Sequence, residues 1–216
     1  MSKSVFPAKE TRPMYPAVLQ LSHQERNSRL LLLLRPVLLV PLYIWGTVYA
    51  IASTFVYLTS CIVTLVTGRH PRALWNVLER YFVFITTYGA YTLLLTDTYP
   101  PFVASAAQRE DVRVVVVYSA KISRFGVLLR PLLLLPHVLF TIGYSVVFFF
   151  CYVVTFATVL LLGRMTERQY GWMRGYLIYV SRVFAYALLL VNDYPPFNGA
   201  QPHAAAEMFG NAKMSM

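Results

Sequence analysis

The chain writes one pattern twice, at a constant offset of 95 residues. Arg35-Pro36 and Pro41 return as Arg130-Pro131 and Pro136, Gly68-Arg69 returns as Gly163-Arg164, and Tyr99-Pro100-Pro101-Phe102 returns as Tyr194-Pro195-Pro196-Phe197. A register held through apolar runs and connectors alike, with no insertion or deletion, marks a duplicated supersecondary unit. The fold must therefore contain this unit twice, and the two copies must accommodate each other.

Of the 216 residues, 57% are hydrophobic and only 13% charged, which is more apolar surface than a soluble core of this length buries. That composition places the chain in a membrane. The formal net charge of +10 does not point to nucleic acid, because Lys and Arg cluster beside apolar runs instead of along a soluble face. Anionic phospholipid headgroups are the better counter-charge. Met1 to Gln20 is polar and proline-rich, unlike a secretory signal, so insertion falls to the apolar runs themselves. Cys61 and Cys151 lie inside apolar runs at non-equivalent repeat positions and lack metal-ligand spacing, so they read as buried free thiols.

Pro36 to Val66 and Pro131 to Leu162 carry no formal charge. As helices rising about 1.5 Å per residue, both exceed a hydrocarbon layer of about 30 Å, which implies tilt, a kink at Pro41 and Pro136, or an end in the interface. A second, less apolar segment follows in each copy, from Leu74 to Leu95 and from Tyr170 to Val191, with Glu79 and Arg80 in the first and Arg174 and Arg182 in the second. The connectors beginning at Gly68 and Gly163 are short enough to demand tight antiparallel helical hairpins, with glycine as the helix stop. Before each hairpin, Ala17 to Ser22 and Val112 to Tyr118 are β-branched or alternating and read as strands. Ser28 to Pro36 and Ser123 to Pro131 read as interfacial elbow helices.

The expected fold is an all-α integral membrane protein with four transmembrane helices, arranged as two tandem helical hairpins, each preceded by a short strand and an elbow. The units are a polar N-terminal segment 1–14, repeat one 15–102, a linker 103–109, repeat two 110–197 and a tail 198–216. An even number of spans per copy gives both copies one orientation, so the repeats are expected to be parallel, related by a pseudo-two-fold axis along the membrane normal that pairs the strands antiparallel. Two re-entrant hairpins, a monotopic arrangement, are the competing topology. About twelve Lys and Arg flank the starts of the hairpins and the chain ends, against about six near the hairpin tips, which puts both termini on the cytoplasmic side. A bacterial inner membrane suits the chain best, with an organelle inner membrane as the other setting.

Arg29, Arg35, Arg124 and Arg130 recur in both copies and read as positive-inside anchors or, more sharply, as a headgroup cradle in which guanidinium groups fork onto phosphate. Arg182 sits near the middle of its helix, at a depth where a charge must find acceptors or water. With Tyr179 and Tyr186 on the same face it forms a candidate intramembrane polar site for an anion or lipid phosphate, or else a structural arginine bound by tyrosines and a carbonyl. Arg69 and Arg164 read as interfacial anchors, as do Tyr99, Phe102, Tyr194 and Phe197 in the repeated aromatic-diproline endings. The acids Asp97 in copy one and Asp193 in copy two, with Asn192 at the position equivalent to Asp97, are placed to cap or pair with the elbow arginines. His137 is the only histidine at membrane depth and has no intramembrane partner for a haem. No phosphate loop, His-Glu-x-x-His or Gly-x-Ser-x-Gly is present, so neither cofactor, metal nor catalytic residue is expected.

The unit written as Ser28-Arg29, Arg35-Pro36, Pro41, Gly68-Arg69, Tyr91 with Leu93-Leu94-Leu95-Thr96-Asp97, and Tyr99-Pro100-Pro101-Phe102 resembles the bacterial membrane family known as domain of unknown function 4389. The second unit resembles another copy, departing from the first at Asn192, where the family's usual aspartate would stand. The resemblance implies a membrane module and carries no activity. The expected function is that of a non-enzymatic accessory or assembly subunit of a larger membrane complex, with phospholipid at the elbows and other membrane subunits as partners. The alternative is a lipid or small-solute transporter using the repeat interface and Arg182.

Overall fold

A computed structural model describes residues 15–22, 27–102, 112–119 and 122–199. The segment 1–14, the linker 103–109, and the tail beyond Gly199 lie outside the described residues. Repeat one contains strand β1 (Ala17–Leu21) and helices α1 (Arg29–Thr67) and α2 (Arg72–Thr92); repeat two contains β2 (Val112–Val116), α3 (Arg124–Leu162) and α4 (Glu167–Ala187). Each element of the second copy begins and ends 95 residues after its counterpart.

Local chemistry sets these boundaries. Ser28 caps α1 by accepting from the Leu31 N–H, Ser123 caps α3 from the Gly126 N–H, and Thr166 forms a reciprocal capping box with Gln169 on α4. The long helices stop at Gly68 (φ 71°) and Gly163 (φ 69°), left-handed positions that glycine takes without a Cβ penalty. The expected elbow is not a separate element, because α1 and α3 run unbroken for 39 residues through Pro36 and Pro41, and through Pro131 and Pro136.

The helices form a ring in which α1 touches α2 and α3, and α4 touches α3 and α2. The antiparallel ribbon β1–β2 packs on α2 and α4, making three layers: α1 with α3, α2 with α4, then the ribbon. Its inward residues Ala17, Leu19, Val112, Val114 and Val116 join Leu78, Phe82, Met173 and Ile178 in one core. Both long helices are long and apolar enough to cross a membrane, and only 17% and 11% of their most apolar windows are buried, which separates them from core helices of a soluble fold. Leu30, Val37, Ile44, Ile51, Leu58 and Ile62 form one exposed stripe along α1.

Along the helix direction the two hairpins run opposite ways, not side by side as two parallel spanning hairpins would. Gly163, the turn of the second hairpin, accepts from the Asn27 N–H at 3.0 Å, beside the start of α1. In the other direction, the Arg124 side chain at the start of α3 packs over Gly68, the turn of the first hairpin. Each hairpin tip therefore adjoins the start of the other copy. The reason is the ribbon register: Leu19 pairs with Val114, its own repeat equivalent, and both side chains face the helices. That pairing puts the pseudo-two-fold axis perpendicular to the ribbon and across the helices, not along them.

Candidate functional site

The arginines of the two elbows divide into an inward and an outward pair. Arg35 and Arg130 are 4% and 3% exposed. Nη1 of Arg35 donates to the Tyr91 carbonyl, while Nη2 donates to the Thr96 carbonyl at 2.9 Å and pairs with the Asp97 carboxylate. Its guanidinium also lies 4.5 Å from the Tyr91 ring centroid. Arg130 repeats the arrangement with the Tyr186 carbonyl, the Val191 carbonyl at 2.9 Å, Asn192 Oδ1 at 3.1 Å and the Tyr186 ring at 4.5 Å. Asp97 additionally accepts from the Ser28 N–H at 2.7 Å, tying the start of α1 to the chain after α2.

The clasp closes round the turn that holds the repeated leucine triplet. After α2 and α4 the backbone turns sharply at Leu94 (φ 63°) and Leu189 (φ 61°), a left-handed conformation that costs a branched residue free energy and persists only where its surroundings over-determine it. Across the turn the Tyr91 and Tyr186 carbonyls accept from the Leu94 and Leu189 N–H as well as from the arginine, whose other nitrogen reaches the Thr96 or Val191 carbonyl just beyond. Neither leucine betrays this in sequence, since nothing in the residue type signals a positive φ. The headgroup cradle thus loses two of its four expected members to internal bonding. Arg29 and Arg124 are exposed at the helix starts and lie against Gly163 and Gly68 of the opposite copy.

Arg182 is 4% exposed. Its Nη1 donates to the Asn198 carbonyl at 3.2 Å, and its guanidinium lies 5.5 Å from the ring of Tyr15, whose hydroxyl donates to the Arg182 carbonyl. Arg182 lines a small space with Ala17, Leu19, Val114, Phe82 and Ile178, beneath the ribbon. Tyr186 instead serves the Arg130 clasp, and the Tyr179 hydroxyl lies 3.0 Å from Nδ1 of His137. His137 is fully buried and stacked on Phe197 with centroids 4.1 Å apart. The equivalent pair in copy one is Leu42 and Phe84, both buried, so one apolar pocket has become polar in the other copy.

The aromatic-diproline endings fold back onto their own long helices. Tyr99 donates to the Leu38 carbonyl and Tyr194 to the Leu133 carbonyl, both at 3.3 Å, while the Phe102 carbonyl accepts from the Trp45 indole at 2.9 Å. Phe102, Tyr194 and Phe197 keep 41% to 46% of their surface exposed, so they close the clasp and still face outward. Arg69 and Arg164 are both exposed at the hairpin tips.

His70, in the first hairpin turn, is buried with Nε2 2.5 Å from Ser60 Oγ, and its carbonyl accepts from the Tyr118 hydroxyl at 2.7 Å. Burial, reinforced by the charge of Arg130 and partly offset by a backbone hydrogen bond at Leu189, lowers its pKa from 6.5 to about 4. Between those values the unfolded chain binds a proton that the folded chain refuses, so acidification from neutral pH through this window should lower stability. Thermal unfolding in detergent across that range should show the slope, and His70→Met, which installs the Met165 of copy two, should flatten it.

Among the described residues no three His, Cys, Asp or Glu side chains gather in a metal-binding group. The family model of a domain of unknown function (DUF4389) matches residues 29–104 and again 115–198. No curated protein and no solved structure matches the chain. With its two matched regions covering most of the sequence and coinciding with the two hairpins and their clasps, the chain belongs to the DUF4389 family as two tandem copies.

Proposed function

We propose that this is a non-enzymatic membrane protein that works by contact, as an accessory or assembly subunit of a larger membrane complex. The observation that carries the reading is the ribbon. Its core is supplied by this chain, yet among the described residues neither β1 nor β2 has a strand on its outer edge. The Val117 N–H donates to the Pro16 carbonyl, so by antiparallel alternation the backbone groups of Ala17 and Leu19, and of Val112, Val114 and Val116, point outward along the two edges, while the outward Leu21 carbonyl at the end of β1 accepts from the Tyr170 hydroxyl. Open edges of this kind recruit an added strand. The buried arginines support the same reading, because the strongest polar donors of each copy are consumed in holding it together and are not offered to a substrate. Anionic phospholipid at the outward Arg29 and Arg124 completes the proposal, in a bacterial inner membrane with the cationic ends on its cytoplasmic side.

Ala17→Pro removes one outward N–H without touching a ladder bond. Purified from native membranes in mild detergent, the wild-type chain should bring a stoichiometric partner that this variant loses at unchanged yield. A wild-type chain that emerges alone and monodisperse would defeat the reading. Flux in proteoliposomes that Arg182→Ala abolishes would replace it with transport.

A further inference from the structure

Taking the membrane reading as its basis, we infer that α1 and α3 lie flat within one leaflet, so that the protein is immersed from one face of the bilayer with its ribbon in water. Length is the first argument. A 39-residue helix is about 58 Å long, roughly twice the hydrocarbon thickness. Tilt alone accommodates far smaller excesses. Laid flat, the same helix layer is about 10 Å deep, which fits one leaflet of about 15 Å.

The second argument is where charge falls. From Pro36 to Thr67 and from Pro131 to Leu162 the long helices carry none, and their exposed faces are apolar along their length apart from hydroxyls such as those of Thr47, Thr54, Thr59 and Ser145, which bond carbonyls of their own helix. Glu79, Arg80, Arg174 and Arg182 all belong to α2 and α4, and Gln20 and Arg113 to the ribbon. If the ring of helices crossed the bilayer end to end, the ribbon, packed on Phe82, Thr86, Ile178 and Ser181 near the middle of α2 and α4, would lie at mid-depth with its edge amides in hydrocarbon. Arg80, which is exposed, would lie there too. Flat placement puts every one of these groups on the water side.

Symmetry supplies the third. The axis across the helices would make a crossing arrangement inverted, with the copies facing opposite ways. Inverted copies need opposite cationic bias to satisfy the positive-inside rule. These copies carry the same one: Arg29, Arg35 and Arg69 recur as Arg124, Arg130 and Arg164. An axis along the bilayer normal, with the helices perpendicular to it, gives both copies the same leaflet and the same depth. The occupant of the apolar face is therefore a phospholipid leaflet, bounded at both ends of the long helices by arginine.

Single cysteines replacing Arg29, Arg69, Arg124 and Arg164 in a Cys61→Ser, Cys151→Ser background, probed with a membrane-impermeant maleimide on intact and inverted vesicles, separate the arrangements. Flat immersion requires all four to react from one side. An inverted crossing would put Arg29 with Arg164 opposite Arg69 with Arg124; a parallel crossing would put Arg29 with Arg124 opposite the other two. Either result overturns the inference. Nitroxides at Val37, Ile51 and Val66, which share the exposed face of α1, give an independent readout in the full chain: equal depths are expected, and a much deeper Ile51 would refute it. Loss of the co-purifying partner in Ala17→Pro bears on the docking proposal alone and leaves these outcomes unchanged.

Discussion

Arg35→Leu is expected to lower stability by about 3–5 kcal/mol, the range for breaking a buried ion pair from one side. The change takes the only cation from the Asp97 ion pair, whose carboxylate is just 19% exposed and keeps the Ser28 N–H, and removes one donor each from the Tyr91 and Thr96 carbonyls. The second copy supplies an internal comparison. Arg130→Leu leaves two carbonyls and the neutral amide of Asn192, so its cost should fall to roughly 1–3 kcal/mol. Asp97→Asn rebuilds in copy one the chemistry copy two already uses and should cost about 1 kcal/mol. Apparent melting temperatures of the three variants in one detergent decide the matter. Asp97→Asn as damaging as Arg35→Leu would mean that the carboxylate acts through something other than its arginine.

Phe82→Ala is the second large effect, at about 3–5 kcal/mol for an aromatic core truncation. Phe82 is 1% exposed, stacks on Phe184 with centroids 6.3 Å apart, and lies beneath Ala17, Leu19 and Val114 where the layers meet. Its loss opens a cavity between the α2–α4 pair and the ribbon. Hydrogen exchange should show the amides of β1 and β2 deprotected in this variant well before those of α1. Leu177, the repeat equivalent, faces Gly89, whose missing Cβ makes room for it at 3.0 Å. Leu177→Ala should therefore cost less, and Gly89→Leu should overpack the same contact. Uniform deprotection of all elements in Phe82→Ala would show that the ribbon has no separate dependence on this residue.

Much of the architecture is legible before any coordinates. The 95-residue offset, the hairpin turns at Gly68 and Gly163 and the two strands follow from local chemistry: periodicity, a glycine stop and β-branched alternation. The pairing of Asp97 with Arg35 is legible too, because the repeat places the two partners after and before the same helical hairpin; in copy two it is Asn192, and not the acid Asp193 beside it, that meets Arg130. The outcome is different for Arg182. Its surroundings depend on Tyr15 and Asn198, residues 167 and 16 positions away, and no spacing rule connects them to it. His137 and Tyr179 look unrelated in sequence and become a buried pair only when α3 and α4 pack.

By itself, then, the sequence determined that there are two equal units, what elements each contains and which ends carry charge, since these depend on residues a few positions apart or on the comparison of one copy with the other. Only the tertiary structure decided that the copies meet head to tail and that Arg35 and Arg130 turn inward. The physical reason is that both depend on how distant elements meet: a ribbon register joining Leu19 to Val114, and a left-handed turn at Leu94 and Leu189 whose flanking carbonyls bind an arginine some sixty residues earlier.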